Sequence, residues 1–158
     1  MSGITGADNA FETFLVGMRF RHARGKTITE LENVLITNLV MNTADAHFNE
    51  ARMADHPLGT SIVFGGITAS LVVGLASQDT ADCLLEDRGI SNLRLMVPVV
   101  HGDTIRAATE VTAVEPLDDE SGLVFLHHWG YNQRDEVVAE FDRVIRVPRR
   151  SVVQRGTA

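Results

Sequence analysis

Two short stretches hold the residue types needed to move a proton beside a polarised carbonyl. The first is Asn42-Thr43-Ala44-Asp45-Ala46-His47-Phe48-Asn49, in which an amide and an imidazole stand five positions apart. The second is the apolar run Ile62-Val63-Phe64-Gly65-Gly66-Ile67-Thr68-Ala69-Ser70-Leu71-Val72-Val73-Gly74, with two glycines near its head. An imidazole takes up and returns a proton near neutral pH. A backbone N–H at the start of a helix holds a carbonyl oxygen as it turns anionic. Chemistry on a thioester needs a proton carrier and a support for the carbonyl oxygen. His47 and the Gly65 N–H are the expected suppliers, and no other part of the chain offers both.

The neighbours of these two residues carry open alternatives. Asn42 cannot exchange a proton, but its amide can hold a water or the substrate carbonyl; equally, Asn is favoured where a helix ends. Asp45 is the nearest carboxylate and is a candidate for a second proton carrier, or for a turn hydrogen bond. Gly66, beside Gly65, either offers a second N–H or permits a tight helix entry. Thr68 and Ser70 read as hydroxyls bonded to helix carbonyls. His127 and His128 are adjacent in a strand and point to opposite faces, so they cannot share a metal. His22 and His56 have no partner at metal-ligand spacing, and no metal site or cofactor is expected. Trp129 and Tyr131 read as core or interface.

The elements that must position these residues follow from pattern. Val16 to Arg24 alternates as a strand that Gly25 ends. Thr29 with Glu32 forms a capping box, so a helix starts near residue 30, with Leu31, Val34, Leu35 and Leu39 on its apolar face, and frays at Asn42-Thr43. A short amphipathic piece and the turn His56-Pro57-Leu58-Gly59 lead into the glycine-headed helix, which runs to about Ser77. Period-two alternation then predicts strands over Ile90–Val97, Ile105–Ala113, Leu123–Tyr131 and Val137–Val147, with His101-Gly102-Asp103 as a tight turn. Residues 1–13 and those from Pro148 read as loose termini around a core of about 16–148. Helices followed by consecutive strands favour α+β with an antiparallel sheet. The 64–77 helix is apolar nearly all round and must be enclosed. A curved sheet wrapped around one central helix, the hot-dog fold, meets that need.

Bulk properties set the class. The 158 residues fit one domain spanning 1–158. A net charge of -7 argues against nucleic acid as partner. A single cysteine, Cys83, excludes an internal disulfide and suits the cytoplasm. No secretory leader is read at the N-terminus, and the apolar run at 62–76 is too short to span a bilayer, so no membrane association is expected.

On these residues the chain resembles the MaoC-like dehydratases, the family of (R)-specific enoyl-CoA hydratases and mesaconyl-CoA (β-methylmalyl-CoA) hydratases. The resemblance runs from about Gly17 to Val147. It is carried by Gly25-Lys26-Thr27-Ile28-Thr29-Glu30, Asn42-Thr43 through His47-Phe48, Leu71-Val72-Val73-Gly74-Leu75, Val97-Pro98-Val99-Val100-His101-Gly102-Asp103-Thr104 and Asn132-Gln133-Arg134. It implies a hot-dog fold, a homodimer or higher homo-oligomer with shared sites, and reversible hydration of an enoyl thioester on coenzyme A or a carrier protein, with branched or dicarboxylic acyl groups among the substrates. The motif's His falls on His47 and its Asp on Asn42, where the mesaconyl-type branch often has Asn-Thr. The oxyanion glycine falls on Gly65, preceded by Phe64 in place of the usual His or Asn. A pocket serine falls on Val73. Arg94, Arg149 and Arg150 are candidates to meet coenzyme A phosphates. Two rivals share the fold: a thioesterase, and a catalytically weakened protein that binds acyl thioesters.

Overall fold

The computed structural model describes residues 9–156. Five strands, β1 (Arg19–Thr27), β2 (Glu86–Leu95), β3 (Thr104–Pro116), β4 (Ser121–Tyr131) and β5 (Val137–Pro148), form one antiparallel sheet in the order β1-β3-β4-β5-β2. Between β1 and β2 lie α1 (Glu30–Leu39), the short α2 (Glu50–Met53) and the long α3 (Gly65–Thr80). The sheet curls round one side of α3, burying Ile67, Val72 and Ala76 against β3 and β4. This is the α+β hot-dog arrangement. Alternate residues of β3, β4 and β5 face inward, as period two requires. Fully buried Phe141, Ile105, Leu126 and Ile145 each contribute roughly 1.5–3 kcal/mol of burial. Gly130 has no side chain where the Val72 methyl needs the space.

The inner face is not uniformly apolar. One cluster, with Ile28, Ile67, Ile105, Val138 and Phe141, lies toward one end of the strands. Another, with Phe14, Phe20, Val111, Leu126 and Ile145, lies toward the other end. A polar band crosses the sheet between them. His22 on β1 sits 2.6 Å from Asp79 of α3 through Nδ1 and 2.8 Å from the Thr109 hydroxyl of β3 through Nε2. That hydroxyl is 2.7 Å from His128 Nδ1 on β4. Arg143 on β5 reaches Asp87 on β2 at 2.6 Å. Because Asp79 can only accept, His22 Nδ1 donates; a neutral His22 then accepts from Thr109, which accepts from His128 Nδ1–H.

Several elements depart from expectation. Residues 9–13 are not loose: Asn9, Ala10 and Phe11 are buried, and the Phe11 ring occupies the space a Cβ at Gly122 would need. The terminus from Pro148 is not a bare tail but forms α4 (Arg150–Gly156). Its start is tied to residues 12–13: the Arg150 N–H donates to Glu12 and its guanidinium to the Thr13 hydroxyl. Residues 1–8, 157 and 158 lie outside the described residues. Strand β1 runs three residues later than its alternation suggests and continues through Gly25, absorbing an irregularity between Arg21 and Gly25. On it only Phe20 and His22 are buried. Strand β2 begins earlier than expected, pairs with β5 alone, and is exposed along its whole length. Most unexpectedly, α1 turns its leucine stripe outward. Leu31 and Leu39 are 73% and 72% exposed, whereas Asn33 and Thr37 are buried. Among the described residues no helix is long and apolar enough to cross a membrane.

Candidate active site

The capping box is present at the start of α1, with Thr29 and Glu32 bonding reciprocally. At the other end, Met41 adopts the left-handed conformation (φ 56°). Its N–H bonds to the Asn38 carbonyl, and the Asn42 N–H bonds to the Thr37 carbonyl. This pair of bonds is the Schellman motif. The Asn42 side chain then accepts from the Ala44 N–H at 3.0 Å, and a 3-10 turn, Asp45–His47, follows. Asp45 pairs with Arg52 at 2.7 Å, fastening the turn to α2, which Asn49 caps. The chain returns along the turn, with the Ile62 N–H bonded to the Ala46 carbonyl and the Val63 N–H to the Val99 carbonyl.

His47 and the head of α3 thereby line one cavity of about 660 Å³. Phe64, Gly65 and Gly66 form one side; Leu93, Leu95, Met96 and Pro98, from the end of β2 and the loop after it, form another. Among the described residues, His47 is the only ionisable side chain on its wall, and Thr68 the only other polar one. His47 Nδ1 lies 2.9 Å from the Ile62 carbonyl oxygen. That oxygen only accepts, so Nδ1 carries the proton, and Nε2 of the neutral ring holds the basic lone pair. The Phe64 ring meets the His47 ring edge-on, with centroids 5.6 Å apart. Helical geometry leaves the N–H groups of Gly65 and Gly66 without an intrahelical acceptor and places them at the positive end of the helix dipole. The close fit explains the glycines. A Cβ at Gly65 would collide with Leu95, and one at Gly66 with the Phe64 ring.

Of the residues singled out by sequence, His47, Phe64, Gly65 and Gly66 are brought together. Asn42, Asp45 and Val73 do not line this cavity. Asn42 closes the end of α1 and Asp45 is held by Arg52. Val73 packs, half-buried, against the apolar cluster around Ile67 and Phe141. Thr68 is buried on the cavity side, while Ser70 is exposed. Arg94 lies on β2 near Glu140, and Arg149 lies over the Phe11 ring, close to Glu12. His127 faces away from His128 and bonds Asp142 at 2.6 Å; Trp129 stacks edge-on against it. One residue escaped the sequence reading. Asn33, buried in α1, donates to the carbonyls of His47 (2.8 Å) and Ile62 (3.3 Å) and accepts from the Phe64 N–H (3.1 Å). Its signal was the polar pair Asn33/Thr37, one turn apart on a helix otherwise rich in leucine.

The profile of the mesaconyl-CoA hydratase family matches residues 5–149. The chain is 30% identical over 156 residues to the β-methylmalyl-CoA dehydratase of Chloroflexus aurantiacus, covering 95% of this chain and 43% of that protein. To the mesaconyl-CoA hydratase of Haloarcula hispanica it is 29% identical over 135 residues, covering 82% and 36%. It thus spans less than half the length of these curated relatives. Among solved structures, a MaoC domain protein from Chloroflexus aurantiacus superposes with a TM-score of 0.85 at 29% identity, covering 92% of this chain and 46% of that one. The (R)-hydratase of A. caviae superposes with a TM-score of 0.71 at 25% identity, covering 87% and 99%. With a family match across nearly its whole length, and with the histidine and the glycine helix head on one cavity, the chain belongs to the mesaconyl-CoA hydratase family.

Proposed function

We propose that the chain adds water reversibly across the double bond of an enoyl-CoA carrying a branched or dicarboxylic acyl group. The observation that carries this reading is one cavity lined both by His47 and by Gly65, the first residue of α3. His47 Nε2 removes a proton from water as the oxygen attacks the β carbon. The π electrons move onto the thioester oxygen, which the Gly65 N–H and the helix dipole hold. The resulting imidazolium returns its proton to the α carbon, giving syn addition. One residue serves as base and then acid because no carboxylate shares the wall. Asn42 and Asp45 keep supporting roles in this reading, ordering the turn that carries His47.

Two features support a partner domain. Leu93, Leu95 and Met96 wall the cavity and are also exposed at the sheet edge, and unpaired edges must be paired or covered. The relatives are more than twice as long as the stretch they share with this chain. A second hot-dog unit, a copy of this chain in a homodimer, would cover β2 and supply the cation that an acidic acyl group needs. We place the reaction in the cytoplasm, where the lone Cys83 stays reduced.

The test follows enoyl absorbance with mesaconyl-CoA and crotonyl-CoA. His47→Ala is expected to lower kcat by about 10²–10⁴ while leaving the fold intact; near-normal kcat would overturn the mechanism. The missing wall carboxylate favours one rival, acyl-thioester binding without chemistry, which would appear as tight binding with no absorbance change. Free thiol release would instead identify a thioesterase.

A further inference from the structure

We infer that Asn33 is a positioning residue: one buried amide fixes the tautomer of the acid–base histidine and its alignment with the oxyanion donor. This deepens the reading of His47 as acid and base, and rests on it. Asn is a weak helix former, and a buried amide is costly unless its donors and acceptors are used. Asn33 is 1% exposed on α1, and nothing in the helix itself calls for it there. Three of its hydrogen bonds leave the helix and reach the backbone of His47, Ile62 and Phe64, all of which line the cavity.

The Nδ2 group donates to the His47 carbonyl at 2.8 Å and the Ile62 carbonyl at 3.3 Å. The Ile62 carbonyl is also the acceptor of His47 Nδ1–H. Asn33 therefore holds the peptide that bears the tautomer-setting oxygen, and holds His47's own backbone too. Its Oδ1 accepts from the Phe64 N–H, at the residue immediately before Gly65. Phe64 begins α3 and has no side-chain cap of its own. The amide thus takes the role that an N3 carboxylate plays in a capping box, from a different helix. Thr37, one turn on, approaches Oδ1 at 3.5 Å and completes the set. Only a side chain with a two-proton donor and an acceptor on one short stem meets these demands. An aspartate in its place faces two carbonyl oxygens with one proton at most. An alanine leaves the Phe64 N–H and the His47 carbonyl without their side-chain partner, and leaves the Ile62 carbonyl to the His47 ring alone.

With Asn33 gone, the His47 carbonyl and the Phe64 N–H lose their side-chain partner, and the Ile62 carbonyl is held through the Val63 N–H bond to Val99 alone, so the His47 ring and its acceptor are less firmly aligned. The proton then distributes between the two nitrogens, and the Nε2 lone pair is lost from part of the population. A shift of about 1 Å in a reacting group costs about 10²-fold in rate.

The experiment uses the whole chain with ¹⁵N-labelled histidine. The His47 tautomer is read from imidazole ¹H–¹⁵N correlations at pH 8.5, and kcat and KM are measured on the same samples. Wild type is expected to show Nδ1–H. Asn33→Ala is expected to show a mixed or Nε2–H tautomer and a kcat lowered about 10- to 100-fold, with KM changed less than about threefold. Asn33→Asp keeps the side-chain shape and the Phe64 acceptor, so it serves where the alanine variant does not fold, with the same expectation. A folded variant that keeps both tautomer and kcat overturns the proposal, as does a fall in kcat with His47 still protonated at Nδ1. If wild type turns over neither mesaconyl-CoA nor crotonyl-CoA while the tautomer still responds, the role of Asn33 stands and the hydratase reading falls.

Discussion

Replacing His128 with Gln should flatten the acid limb of the stability curve. His128 is fully buried in the polar band, and burial first, then the neighbouring Arg143 guanidinium, push its imidazole down to about 3. The ordinary value of a free histidine is about 6.5. Above that value the ring is neutral in both folded and unfolded chains and the stability is fully present. As pH falls below 6.5, the unfolded chain takes up a proton that the folded chain refuses, so stability is lost. From these two values the loss due to His128 is about 2 kcal/mol by pH 5, of which about 1 kcal/mol falls between pH 6 and pH 5. That interval is largely clear of the carboxylates. Asp87, held low first by Arg143, and Asp142, held low first by Asn92, contribute stability that is lost nearer pH 4 and below. His22, also held low by burial, stays in the variant and keeps its own share of the slope. Urea unfolding followed by circular dichroism at pH 7, 6 and 5, at one protein concentration, measures the effect. His128→Gln lowers stability at pH 7 by about 1–3 kcal/mol through loss of the hydrogen bond to buried Thr109. Its further loss from pH 6 to pH 5 should be smaller than wild type's by about 1 kcal/mol. Equal losses in the two proteins would mean that His128 charges in the folded state and that the derived proton order of the band is wrong.

Two further outcomes bear on the cavity and the edge. Gly65→Ala places a methyl group against the end of the Leu95 side chain, so it should cost about 1–3 kcal/mol in urea unfolding and lower kcat/KM on enoyl-CoA about tenfold or more; unchanged stability and kinetics would refute the close fit of Gly65 against Leu95. Ile90→Lys with Leu93→Lys on the exposed β2 should bring the particle mass in light scattering down to the 17.3 kDa of a single chain, and a mass that stays higher would place the copy's contact elsewhere.

The contrast between legible and illegible parts of the chain follows the range of the interactions. The Thr29/Glu32 box, the inward alternation of β3 to β5 and the glycine-headed helix are local patterns, and each stands where the residues imply. Strand β2 is harder to read because exposure along its length leaves no buried face to impose a period, and its bulges beside Gly89 and Asn92 break what remains. The ends of the chain were misread for a different reason. Phe11 belongs to no helical or strand period in its surroundings, and its burial depends on the gap at Gly122, more than a hundred positions away. In the site, the five-residue spacing from Asn42 to His47 was visible, yet the amide that orders His47 is Asn33 rather than Asn42. A helical wheel weighs leucines and turns them inward. Here the leucine stripe of α1 is left on the surface with the β2 edge, and the buried side is chosen by hydrogen bonds to peptides fourteen and more residues further along. An unmet peptide group in a core costs about as much as a buried leucine contributes. A helix that satisfies three such groups with one amide can therefore face its polar side inward and leave its leucines exposed.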